Sequence, residues 1–136
     1  MRAEIINVDG LTMMAKSDTN HWVVMDTARE GQSAAAATPM ETFLFGFGGC
    51  FCMTVRSLLL KKRLAVEKVS MRIDAERAAE PPTVFTKIRA VLELSGGNLR
   101  DSDVEWAVNL AREKYCQVDV MLEKAVPIDV KWEIIE

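Results

Sequence analysis

Between Thr42 and Val55 the chain carries no charged residue, and within that stretch residues 46–52 read GFGGCFC. Phe43, Phe47, Cys50, Thr54 and Leu58 recur at steps of three and four, the period of one helical face. Thr38 with Glu41 three residues later forms a capping box, and Pro39 suits the first helical position. Lys61, Lys62 and Arg63 end the segment with cations, which the negative end of a helix dipole favours. A helix over 39–62 is predicted. Its uncharged run falls short of the roughly 20 residues a membrane span needs, so it is read as a core helix. Gly46, Gly48 and Gly49 are costly there, about 1 kcal/mol each relative to alanine. Two explanations stand: small residues that admit a second helix, or a kink at Gly48-Gly49 that puts Cys50 at the start of a new segment.

The rest of the chain predicts a β-β-β-α-β-β-α-α-β order. Two apolar runs flank Asp9-Gly10, a dipeptide suited to the positive φ of a tight hairpin. HWVVMD at 21–26 adds a third strand. Val69, Met71 and Ile73 alternate with polar residues, and Ile88, Ala90, Leu92 and Leu94 alternate with Lys87, Arg89, Val91 and Glu93, so both segments read as strands. Pro81-Pro82 excludes helix from their connection. Ser102 and Glu105 suggest a second capping box, with Val104, Val108, Ala111 and Tyr115 on the buried helix face. A short helix follows in QVDVMLEKA, then a strand with Ile128, Val130, Trp132 and Ile134 inward. This is an α+β pattern, with helices packed on an antiparallel sheet. At 136 residues the chain is expected to be a single domain, 1–136.

Charge narrows the function. A net charge of -3, with no basic cluster interleaved with aromatics, argues against a nucleic-acid surface. Arg2 and Glu4 interrupt the amino-terminal segment, which lacks the apolar core of a signal peptide. A cytoplasmic protein, not a membrane one, is expected. In that compartment three cysteines do not make a disulfide framework, and a disulfide that forms belongs to a catalytic or sensing cycle.

Cys50 and Cys52 project about 200° apart on a helix and cannot pair without unwinding it. With His21 the lone histidine, the chain offers no zinc-ligand spacing. No metal or organic cofactor is implied. Cys52 reads as packing.

Three stretches in order carry a resemblance. TPMETFLFGFGGC is similar to the central-helix signature of the OsmC/Ohr family, the osmotically inducible and organic-hydroperoxide-resistance proteins. ERAAEPPTVFTKI and KYCQVDVML resemble that family's later signatures, most of all those of its YhfA-like branch, whose second cysteine also follows a Lys-Tyr pair. The resemblance implies an intertwined homodimer in which two central helices pack together, wrapped by sheets with strands from both chains. The glycines would lie where those helices cross.

It also implies a redox pair. Cys50 would attack a hydroperoxide as a thiolate and become a sulfenic acid, and Cys116 would resolve it to a disulfide that a dithiol reductant opens. A thiolate at neutral pH needs a nearby cation or dipole. In the peroxidase members a glutamate directly after the proline holds an arginine beside the sulfur. Here Met40 takes that place and Glu41 comes one residue later, about 100° round the helix. Glu41 and Arg29, in the loop TAREGQ, are the matching candidates. The function implied is thiol-dependent reduction of organic hydroperoxides in oxidative-stress defence. The alternatives are a protein that binds a small hydrophobic ligand in the dimer-interface pocket, and a thiol redox sensor.

Overall fold

The computed structural model describes residues 1–135, so Glu136, the last residue of the expected domain, lies outside the described residues. The element order is the predicted one, and the chain forms two compact units that divide after Phe45.

The first unit holds a three-stranded antiparallel sheet in the order β1 (Ala3–Asp9), β2 (Thr12–Ser17), β3 (Val23–Met25). Gly10 takes φ +51° in the β1–β2 turn, a left-handed conformation that favours glycine, and the Arg29 guanidinium packs into the space a Cβ would occupy. The register slips between Asn7 and Asp9, where Asn7 Nδ2 donates to the carbonyls of Gly10 (2.9 Å) and Thr12 (3.2 Å). Asp26 is buried after β3. Its Oδ2 accepts the Ala35 N–H at 2.8 Å and its own N–H donates to the Ala37 carbonyl at 3.1 Å, which closes the loop that leads into the helix.

Helix α1 (Pro39–Lys61) starts in this unit with the predicted capping box. The Glu41 N–H donates to Thr38 Oγ1 (3.2 Å), and the Thr38 N–H donates to Glu41 Oε2 (2.7 Å). Two otherwise unpaired donors at the helix start are satisfied reciprocally.

In the second unit α1 is unbroken through Gly48-Gly49, so Cys50 does not stand at the start of a new helical segment. Its buried face is Phe47, Gly48, Phe51, Val55, Leu58 and Leu59, one residue round from the predicted stripe, and Phe43 is exposed. Phe47 and Phe51 meet edge to face at 6.0 Å between ring centroids. Fully burying each contributes about 1.5–3 kcal/mol. Only Gly48 of the three glycines approaches a neighbour, since an added Cβ would sit 3.0 Å from Ile73 Cδ1. By length and composition α1 could cross a membrane, but the buried face just named belongs to this unit's core.

The second sheet runs in the order β4 (Lys68–Arg77), β5 (Phe85–Ser95), β6 (Ile128–Ile134). Strands β4 and β5 pair antiparallel, with alternating Ile88, Ala90, Leu92 and Leu94 buried as predicted. Strand β6 lies parallel to β5, so the sheet is mixed where an antiparallel one was expected. The helical segment between them returns the chain to the same end of β5, which a parallel crossover requires.

Helix α2 (Asp101–Leu110) continues into a π-helical turn (Ala111–Tyr115) and then α3 (Gln117–Leu122). Two expectations fail here. Arg100 is the N-cap residue and no side chain caps the helix, so the Ser102–Glu105 box does not form. Arg100 and Asp103 pair across the first turn instead. Val104, Ala107, Val108 and Ala111 are buried, but Tyr115 is exposed. The wider π-turn breaks the 3.6-residue period just before it.

Candidate functional site

Cys50 sits half-buried on α1. Thr54 Oγ1 donates to its carbonyl at 2.8 Å, a bond that leaves the thiol itself uncommitted. Cys116 is fully buried at the junction of the π-turn and α3, where its N–H donates to the Ala111 carbonyl at 2.8 Å. The π-turn thus fixes the backbone that presents the second sulfur. Helix α1 and this junction bring the two thiols together: hydrogen bonding and charge at Cys50 both act on the Cys116 thiol. Burial, then Cys50 and the nearby Asp119 charge, push the Cys116 thiol up to about 12, against the partial relief of the Asp119 N–H that faces it. Cys52 is half-buried too, and burial alone raises its thiol. Two neighbouring thiols can exchange a proton or form one bond. A thiol two residues along the same helix projects elsewhere.

The other two sequence candidates lie in the first unit. Glu41 caps the helix through Thr38, as described. Arg29 Nη2 pairs with the buried Asp26 Oδ1 at 3.4 Å, and Arg29 Nε is buried without a hydrogen-bond partner. The N–H groups of Ala35 and Thr27 hold Asp26 below the usual carboxylate range, with Arg29 adding to them.

Two residues at the second cysteine were not singled out from the sequence. Asp119, three positions after Cys116, is fully buried, and neither carboxylate oxygen has a hydrogen-bond partner. Arg112 Nε is 3.4 Å from Asp119 Oδ2, near enough for charge pairing but not aligned for a hydrogen bond. Arg112 Nη2 is committed to the Ile128 carbonyl at 2.9 Å. Burial raises the Asp119 carboxyl, Arg112 opposes the rise and Glu123 adds to it. The available signal was an acid on the apolar side of a short helix, one turn from a cysteine.

A mixed sheet behind a long helix, with one thiol on that helix and a second at a π-turn, defines the class. The family model for OsmC-like proteins matches residues 30–131, and the chain belongs to that family. Protein YhfA of Escherichia coli K12 is 39% identical over 136 residues, covering 99% of this chain and 98% of the relative. Among solved structures, an OsmC-like protein from Mycoplasma pneumoniae superposes with a TM-score of 0.85 at 16% identity, covering 99% and 96% of the two chains. An organic hydroperoxide resistance protein from Legionella pneumophila superposes at 0.70 with 21% identity, covering 97% and 95%. The likeness to these two structures is one of fold.

Proposed function

We propose that the protein reduces organic hydroperoxides with Cys50 as the attacking thiol and Cys116 as the resolving one. The nearness of the two thiols, through which Cys50 acts on Cys116, is what carries this reading. The family includes proteins described as conferring hydroperoxide resistance, which supports the choice of substrate class.

The chemistry runs in three balanced steps. The Cys50 thiolate attacks the terminal oxygen of the hydroperoxide; the O–O bond breaks, Cys50 becomes a sulfenic acid, and the departing alkoxide takes a proton from solvent to leave as an alcohol. The Cys116 sulfur displaces hydroxide from that sulfenic acid, giving a Cys50–Cys116 disulfide and water. A dithiol reductant opens the disulfide by exchange and is itself oxidised. Arg29 is the proposed cation for the Cys50 thiolate and Glu41 its proposed partner.

A homodimer of cytoplasmic location completes the proposal. Phe45, Met53 and Leu60 of α1 are 63%, 69% and 47% exposed, and Ile5 and Val8 of β1 more than half exposed; apolar surface of this extent favours a partner copy. Sedimentation equilibrium checks it, and a stable folded monomer at micromolar concentration would count against it.

Steady-state consumption of cumene hydroperoxide with dithiothreitol tests the activity. Turnover is expected in the wild type, none in Cys50→Ser, and one oxidation without turnover in Cys116→Ser. Arg29→Ala should slow alkylation of Cys50 at pH 7 and leave its rate at high pH unchanged. If peroxide leaves wild-type Cys50 unmodified, the reading fails, and retention of an apolar ligand without turnover would favour a binding protein.

A further inference from the structure

Asp26 is a buried acid to which the reaction above gives no part. Its side chain is 1% exposed, and its two oxygens are used differently. Oδ2 accepts the Ala35 N–H at 2.8 Å, which closes the loop before α1. Oδ1 accepts from Arg29 Nη2 at 3.4 Å. One oxygen holds the loop and the other holds the guanidinium.

Arg29 is fixed along its whole length. Its N–H donates to the Gln32 carbonyl and its carbonyl accepts the Gln32 N–H, both at 3.0 Å, which sets the backbone from which the side chain leaves. Gly10 leaves room for Nη1, which lies where a Cβ would be. Nε is buried with no hydrogen-bond partner, so among the described residues Asp26 supplies the hydrogen bond that orients the head.

A cation favours a thiolate only while it is held in place. A free arginine loses much of that effect to solvent screening and to side-chain entropy. Resemblance to the peroxidase members offers Glu41 for the hold. Yet Glu41 is exposed and its Oε2 accepts the Thr38 N–H at 2.7 Å, whereas the ion pair Arg29 makes among the described residues is with Asp26. We infer that Asp26 is a positioning residue for Arg29: the buried carboxylate, anchored by Ala35, aims the guanidinium that serves the Cys50 thiolate, and it carries more of that hold than Glu41. Asp26 is ionised in this role, since the N–H groups of Ala35 and Thr27, with Arg29 adding to them, keep its carboxyl below the usual range. A buried carboxylate stripped of its cation is itself destabilising, so the pair holds in both directions. The sign of the effect separates positioning from charge. An acid acting by charge alone would oppose the thiolate, and its removal would speed Cys50; loss of a holder slows it.

This assignment rests on the reading of Arg29 as the thiolate's cation, and the variants separate the two. Iodoacetamide alkylation of Cys50 in the full-length protein is followed by peptide mass spectrometry from pH 6 to 10. Asp26→Asn keeps an oxygen for the Ala35 N–H and gives up the charge. It should slow Cys50 at pH 7 by roughly three- to tenfold and leave the rate at pH 10 unchanged. Glu41→Gln should slow it less. Adding Asp26→Asn to Arg29→Ala should change nothing further, because the two act as one unit. An unchanged or faster Cys50 in Asp26→Asn, or a larger loss in Glu41→Gln, would overturn the positioning role while the Arg29→Ala effect stands. Cys50 unaffected by Arg29→Ala would overturn the cation reading, and the positioning role with it. The wild type decides even if Asp26→Asn does not fold. A held guanidinium should give separate Nη resonances for Arg29 in nitrogen-15 NMR, and one averaged signal would overturn the assignment.

Discussion

The second unit buries two aspartates, Asp103 at the start of α2 and Asp119 in α3, and treats them in opposite ways. Asp103 Oδ1 accepts from Lys62 Nζ at 3.1 Å and from Arg100 Nη2 at 3.4 Å, and its Oδ2 accepts from Arg100 Nε at 3.0 Å. Those bonds, Arg100 first, hold its carboxyl below the usual range. Lys62 also lies 4.4 Å over the Trp106 ring, so one acid ties the end of α1 to α2. Asp119 has a cation at similar distance but no hydrogen bond, and its carboxyl is raised. A charge partner alone does not settle a buried acid; filled lone pairs do. The satisfied acid fastens the fold. The unsatisfied one is left able to take a proton.

The comparison can be broken by substitution. The largest effect belongs to Asp103→Ala, which strands two cations: Tm by circular dichroism should fall by several degrees at pH 7, with the folded protein's peroxide reaction unchanged. The pH dependence sharpens it. Because the Asp103 carboxyl is lowered, its contribution is fully present above the ordinary value near about 3.9 and is lost as pH falls through its folded-state value. The gap between wild type and Asp103→Ala should therefore close in acid. Lys62→Met comes next, at no more than about 1 kcal/mol by urea unfolding, since Arg100 still holds Asp103 and the lysine is partly exposed. Asp119→Asn should go the other way. A raised carboxyl costs stability wherever it is ionised, so its removal should lift Tm at pH 7 by on the order of 1–3 °C. That gain should vanish as pH falls below the ordinary carboxylate range. A loss as large as that of Asp103→Ala would mean both acids are fasteners. Smallest of all is Cys52→Ser, for which peroxide consumption should match the wild type.

Local chemistry made much of this legible in the sequence. The Thr38–Glu41 box, the Gly10 turn and the alternation in β4 and β5 depend on neighbours a few residues away, and they appear as predicted. The buried face of α1 was misplaced by one residue because Phe51 and Val55, not Cys50 and Thr54, are the fully buried positions. The π-turn was not legible, since nothing in AREKY departs from an α-helical pattern; its consequence is an exposed Tyr115. The parallel docking of β6 follows from how the α2–α3 segment crosses, which strand alternation cannot reveal. Cys50 and Cys116, far apart in sequence, were joined by family resemblance, whereas Asp119 and Arg112 acquire meaning only once burial is known.

The central claim is that Cys50 and Cys116, and not the nearer pair on one helix, share the redox chemistry. Non-reducing peptide mapping by mass spectrometry, after one equivalent of cumene hydroperoxide, tests it directly. The account predicts a Cys50–Cys116 disulfide with Cys52 recovered as a free thiol. A Cys52–Cys116 disulfide, or three unmodified thiols, would contradict it.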